Sequence, residues 1–329
     1  MPGDVTGHRN RRVVQREDLS SLIMHLGAQP DAGIRAQGNR DATIGVLHRL
    51  APGRHVLEAE WSALDRDAQH RLRVFAANER LPVGDVVSHW SAAAIWRLPL
   101  IGRWPDRVHV TSPSQSYRKT TSTLIRHRRE LANAVVKVEG VAVTSLAETV
   151  LDVARVGAFA QAVAMGDAAL WRQQHPRYAD GMLGLTLAQL ERVWRESREH
   201  RGLARARRVL DFIDGRANRP GESLARVTMA ELGVPAPVLQ HPIRMHDGTW
   251  YDLDFYFPEF DVGLEFDGRM KYLDPAFRNG RTAEQVVYDE KIREDHVRSE
   301  LRGYGRCDWT VAGSAPSLSA LLHRIGVRW

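Results

Sequence analysis

A single cysteine, Cys307, stands in a chain of 329 residues. One thiol closes no intrachain disulfide and builds no thiolate metal cluster, which removes disulfide scaffolds, zinc fingers and iron–sulfur proteins and leads us to expect a reducing, cytoplasmic setting. Lysine is nearly as scarce. Lys119, Lys137, Lys271 and Lys291 carry it, and arginine supplies the rest of the 46 basic residues. No apolar run approaches the roughly 18 residues of a membrane span, so no membrane partner is expected. The opening residues are polar and basic with no apolar stretch behind them, unlike a secretory signal. Fixed-period repeats and low-complexity tracts are also missing.

What is present is enough apolar content, 43% beside 26% charged, to bury real cores. The length suggests two or three domains. A formal net charge of +6 conceals an asymmetry, because residues 1–210 carry 31 Lys+Arg against 21 Asp+Glu and residues 211–329 carry 15 against 19. A basic front suits phosphate binding, where neutralisation releases condensed counterions. An acidic back suits a divalent cation.

The periodicity divides the chain. Residues 1–15 read as a disordered tail. Over residues 16–60, Leu19, Leu22, Ile23 and Leu26 sit at helical spacing and stop at Gly27, and Ile34, Ile44, Leu47 and Leu50 continue a helical cluster. A turn at residues 50–56 then enters a strand. This is the outline of a winged helix-turn-helix. Residues 61–185 predict a small α/β domain with strands at Arg107–Thr111 and Leu124–His127, a basic loop between them, and a helix opened by a Ser145/Glu148 capping box. Residues 186–216 read as a charged helical linker. After the break at Gly215–Gly221, residues 217–329 predict helix, strand, strand, helix, and the whole chain is expected to be mixed α/β.

The chemistry concentrates after that break. Glu222 opens a helix. The run Trp250–Phe257 alternates so that Asp252 and Asp254 share a face, and Val262–Gly268 places Gly263, Glu265 and Asp267 on one face. In an antiparallel hairpin these acidic faces can meet. Converging carboxylates repel unless a cation joins them, and oxygen-only ligands suit Mg²⁺ or Mn²⁺. The competing reading is a solvated acidic face, which Phe255, Phe257, Leu264 and Phe266 weaken by suggesting a core.

D-x-D-F, a turn, then E-F-D-G-x-x-K resembles the Vsr-like branch of the PD-(D/E)XK endonucleases over about residues 217–329. The resemblance implies an α/β/α fold with Asp254 as first acid, Glu265 as second and Glu222 as the upstream helix glutamate. Asp254 and Glu265 would hold the metal with the Phe266 carbonyl. Asp267 stands where the standard motif has lysine, and Lys271, or Lys291 on the next helix, is the candidate replacement. The front is similar to AbiEi-type winged-helix regulators, some of them antitoxins, over about residues 16–180. V-V-S-H-W-S-A-A-A-I-W-R-L-P (Val86–Pro99), R-V-H-V-T (Arg107–Thr111) and V-T-S-L-A-E-T-V-L-D-V-A-R (Val143–Arg155) carry that likeness.

The residues expected at DNA are Arg35, Arg40 and Arg49 around the recognition helix, Arg54 on the wing, and a second run of Arg118, Lys119, Arg126, Arg128 and Arg129. His89, Ser91 and Thr144 read as caps and satisfied core groups, since no spacing links them into a triad. His109 and His127 alternate on strands but lack a carboxylate or cysteine partner, a poor metal signal. The expectation is therefore a DNA-binding front fused to a metal-dependent endonuclease acting on double-stranded DNA in defence, repair or a toxin–antitoxin setting. The alternatives are a non-catalytic regulator with a degenerate nuclease fold and a cognate toxin, or a plain interaction module.

Overall fold

Alternating apolar positions and strong turn residues build three sheets in a computed structural model of mixed α/β architecture. It describes residues 16–26, 32–113, 115–131, 135–197, 201–217, 219–246, 248–267 and 283–329. The expected tail, the stop at Gly27 and Lys271 lie outside the described residues. Among the described residues no helix is long and apolar enough to cross a membrane.

Helix α1 (Arg16–Ser21), strand β1 (Met24–His25), helix α2 (Ala32–Thr43) and the hairpin β2 (Leu47–Ala51) to β3 (Arg54–Leu57) come first, with strand order β1-β3-β2. The helical spacing of Leu47 and Leu50 thus belongs to a strand. Gly45, at φ +80°, turns the chain out of α2. β2 then carries a register shift between Arg49 and Ala51, and Leu47, Leu50 and Ala51 are all buried. An extra residue in a strand resets the two-residue period and imitates helical spacing. Ile44 is left exposed.

Helices α3 (Glu58–Ala63) and α4 (Arg66–Asn78) lead into strand β4 (Val86–Val87), helix α5 (His89–Ile95), and strands β5 (Val108–Ser112), β6 (Leu124–Arg128), β7 (Val135–Val138) and β8 (Val141–Thr144). The sheet order is β6-β5-β4-β8-β7, with β5 and β6 parallel. Helices α6 (Leu146–Val156) and α7 (Phe159–Gln174) follow. Ser145 caps α6 by accepting from the Glu148 amide at 3.3 Å, but the Glu148 carboxylate goes to Arg129 at 2.8 Å instead of back to the cap. A reciprocal capping box forms at Thr186 and Gln189, opening α8 (Leu187–Glu196).

Apolar burial joins what the sequence separates. One core runs from Leu19 and Val56 through Leu72, Val143 and Leu151 to Leu190 and Leu210. The residues read as a linker, α8 and α9 (Leu203–Phe212), therefore pack into the front core.

Helix α10 (Pro220–Glu231) leads to strands β9 (Val238–Arg244), β10 (Trp250–Phe257) and β11 (Val262–Phe266), helix α11 (Ala283–Glu300), strand β12 (Gly303–Cys307) and helices α12 (Trp309–Ala312) and α13 (Ala315–Ile325). The order is β12-β11-β10-β9, with β9 to β11 antiparallel and β12 parallel to β11. Phe255, Phe257, Leu264 and Phe266 are buried in this second core, as the alternation predicted. β9 was not expected.

α10 belongs to both cores. Val227 packs in the front core, while Ala225 and Met229 pack in the second. The buried Asp167 of α7 binds this helix directly, accepting from Ser223 Oγ at 2.7 Å and facing Arg226 Nη1 at 3.3 Å. Its other oxygen takes the Asp214 amide at 2.7 Å. At the helix start, Gly221 lies against the Phe266 ring, which an added Cβ would overlap. We expect Gly221→Ala to destabilise the protein by about 1–3 kcal/mol through overpacking, although alanine in place of glycine ordinarily stabilises a helix by up to ~1 kcal/mol. A urea or thermal midpoint that stays level or rises would show that helix and strand do not pack this closely.

Candidate metal and nucleic-acid sites

Two carboxylates meet where α10 crosses the β9–β11 meander. Gln240 of β9 donates its amide to Asp254 Oδ1 at 3.2 Å and to Glu222 Oε2 at 3.4 Å. Asp254 Oδ2 accepts the Phe266 backbone N–H at 2.8 Å, which fixes the carboxylate beside the end of β11. Glu222 is buried and Asp254 half-buried. Burial pushes the nearby Cys307 thiol up to about 12, with Asp254, Asp308 and Glu222 adding to the shift. That keeps the one cysteine protonated and unreactive.

The other expected acids point elsewhere. Glu265 Oε1 lies 2.6 Å from Arg293 Nη2 of α11. Burial, and then the Glu265 carboxylate, push the Tyr304 hydroxyl upward. Asp267 pairs with Arg306 at 3.1 Å. Asp252 is exposed. The acidic cluster expected across the hairpin is thus divided, with Glu222 and Asp254 sharing Gln240 while Glu265 and Asp267 each meet an arginine. Among the described residues no three carboxylates bring ligand oxygens within 4.8 Å of one another. Lys271 is outside the described residues, as is the side chain of Lys291.

The basic residues also divide. Arg54 donates to Glu79 at 2.6 Å, Arg126 pairs with the buried Asp85, and Arg129 pairs with Glu148 and Asp152 at 2.8 Å each. These three act within the fold. Arg118 reaches Asp85 at 3.3 Å but stays exposed, and Arg40 is exposed while donating to Gln37. Arg49, Lys119 and Arg128 face solvent. The side chain of Arg35 is outside the described ones.

A group the sequence did not connect lies between α5, β5 and β6. His89, His109 and His127 bring ring nitrogens within 4.8 Å of one another. His109 Nδ1 and His127 Nε2 are 3.0 Å apart, and the His89 and His127 rings stack at 3.6 Å. His89 holds φ at +53°, a left-handed conformation uncommon outside glycine, although histidine adopts it more often than most side chains do. Its Nδ1 lies 2.9 Å from Ser88 Oγ and 3.6 Å from Asp152 Oδ2. Desolvation lowers His109 to about 3 and His127 to about 4, and it depresses His89 as well. Ser91 Oγ accepts the His109 amide at 2.9 Å and meets His70 Nε2 at 3.1 Å. Ser91 is therefore a satisfied core group, as expected, and Thr144 likewise bonds Thr149 at 2.8 Å.

No family model matches the chain. Two proteins of Mycobacterium tuberculosis strains, named as uncharacterized proteins MT2308 and Rv2248, are each 31% identical over 169 residues, 51% of this chain and 58% of theirs. The chain thus spans little more than half the length of these relatives. A crystal structure of the RV2827C protein from the same species aligns with a TM-score of 0.35 and 14% identity, covering 68% of this chain and 83% of that one.

His70 makes the front core sensitive to acid. It is buried, and desolvation lowers it to about 3 from an unfolded value of 6.5. The fold holds it neutral while the unfolded chain takes up a proton between those values. The stability that His70 contributes is therefore present above pH 6.5 and is lost as pH falls through the window towards 3, with a slope of up to about 1.4 kcal/mol per pH unit. His70→Gln is expected to remove one proton from the pH dependence of the unfolding midpoint, measured between pH 7.5 and 5. An unchanged slope would remove His70 from the acid sensitivity that His89, His109 and His127 share.

Proposed function

We propose that this protein is a DNA-binding, Mg²⁺- or Mn²⁺-dependent endonuclease whose C-terminal unit is a Vsr-like PD-(D/E)XK domain. One observation carries the reading. Glu222 from a helix and Asp254 from a strand are held to the same Gln240 amide, with the Phe266 backbone fixing the second Asp254 oxygen. The order of helix, three antiparallel strands, helix and parallel strand supports it, because it sets the upstream glutamate over the first acid. In the front, α2 preceding the β2–β3 hairpin, with strand order β1-β3-β2, supports a winged helix-turn-helix.

The donor chemistry fits the ion in part. Hard carboxylate oxygens from Asp254 and Glu222 suit Mg²⁺, and the Gln240 amide now supplies the positive dipole between them. Glu265 does not fit while Arg293 holds it. A bound Mg²⁺ would acidify a water and stabilise charge on a phosphate. The chain itself orients Asp254 through Phe266 and Gln240 and keeps Glu222 at the start of α10. Lys271 is proposed to neutralise charge at the scissile phosphate. Arg49, Lys119 and Arg128, exposed on the basic front, are proposed to meet the duplex backbone.

A second reading, a regulator that binds DNA without cutting it and pairs with a toxin, is favoured by the Glu265–Arg293 and Asp267–Arg306 ion pairs, which neutralise two of the motif acids. Plasmid nicking in Mg²⁺ and Mn²⁺ separates the two. The endonuclease reading requires metal-dependent nicking that Asp254→Ala and Glu222→Gln each abolish. Metal-independent nicking, or equal nicking by Asp254→Ala, overturns it, and duplex binding without cleavage establishes the regulator. Duplex affinity followed against salt tests the front. Arg49→Ala and Arg128→Ala, each removing one cation from a DNA phosphate, should each flatten the slope of log affinity against log salt by about 0.9. Unchanged slopes would remove both residues from the interface.

A further inference from the structure

We propose that His89, His109 and His127 form a binding site for a divalent transition ion, Zn²⁺ foremost. It lies in the front unit and is independent of the endonuclease reading. Three imidazoles from three elements, the start of α5, β5 and β6, bring ring nitrogens within 4.8 Å of one another. Helix and sheet hold them there. The parallel pairing of β5 with β6 joins His109 to Ile125 and Thr111 to His127, so both histidines project from one face two residues apart in register. His89 is brought over them by its left-handed backbone.

The surroundings favour this ligand class. Imidazole nitrogens suit Zn²⁺, Ni²⁺ or Co²⁺ better than Mg²⁺, which prefers oxygen. Three histidines leave a fourth position for water or another ligand, the composition of an open zinc site. Metal-bound histidines commonly give their second ring nitrogen to a carboxylate. Here His89 Nδ1 meets Ser88 Oγ at 2.9 Å, with Asp152 Oδ2 behind it at 3.6 Å and Arg129 and Arg155 on Asp152 Oδ1. His127 is half-buried, which gives the site an opening.

The test uses the full chain in buffer with millimolar Mg²⁺. After equilibration with Zn²⁺ and removal of the free ion, one Zn²⁺ per chain should remain by atomic emission. His127→Gln and His109→Gln should each lose affinity by at least the 10–100-fold typical of disturbing an outer-shell partner. Asp254→Ala should retain the ion. Should a histidine variant fail to fold, Co²⁺ binding to the unaltered chain decides, because three histidine rings must show paramagnetically shifted proton resonances. Absence of bound Zn²⁺, loss of the ion in Asp254→Ala, or fewer than three shifted histidines would overturn the site.

Discussion

A carboxylate taken out of water must find charge and donors inside the protein, and Asp167 finds them across the break in the chain's composition. Its oxygens take the Ser223 hydroxyl, the Arg226 guanidinium and the Asp214 amide. Burial pushes this carboxyl upward and Arg226 draws it back. Removing one partner from such a network leaves a buried charge uncompensated, a loss of several kcal/mol. Arg226 also donates to the Phe212 carbonyl at 2.5 Å, so one guanidinium ties α10 to α7 and to the end of α9. The position of Glu222 over Asp254 follows from that anchoring, since the same helix carries Glu222, Ser223 and Arg226 in its first two turns.

The second sheet was legible where apolar residues alternate strictly. Phe255, Phe257, Leu264 and Phe266 announce β10 and β11 because every second side chain enters the core. β9 gives no such signal. Leu239 is buried, but its neighbours on the strand are half-buried or exposed, and Pro242 interrupts the run. An outer strand needs to satisfy only one ladder and one face, so its sequence is weakly constrained. The β2 bulge misleads in the opposite direction, placing three core residues where a helix would place them. Helices α8 and α9 read as a linker because their surface charge hides Leu190, Val209 and Leu210, which complete the front core.

Sites are harder to read because alternation assigns a face but not a partner. It set Asp254 and Glu265 in one hairpin, yet could not tell that Arg293 sits beside Glu265 or that Gln240 sits beside Asp254. Arg54, Arg126 and Arg129 look like surface cations in a basic segment, while the carboxylates that take them, Glu79, Asp85 and Asp152, are distant in sequence. His89, His109 and His127 were separable only as isolated side chains. The parallel pairing that joins β5 to β6 is set by the fold, and the left-handed backbone at His89 carries no sequence signal strong enough to read, since histidine only occasionally adopts it.

The double membership of α10 bears on how such a protein can be assembled in evolution. A recombination joint placed at the composition break, between residues 210 and 220, would exchange the back unit together with Ser223, Arg226 and Val227 but leave Asp167 and the front core behind. An incoming helix without a matching donor would strand a buried carboxylate, and one with a bulkier residue at Val227 would crowd the core of its host. Exchange of whole units is therefore filtered by a handful of side chains on one helix face, and the two halves are expected to be inherited as a matched set.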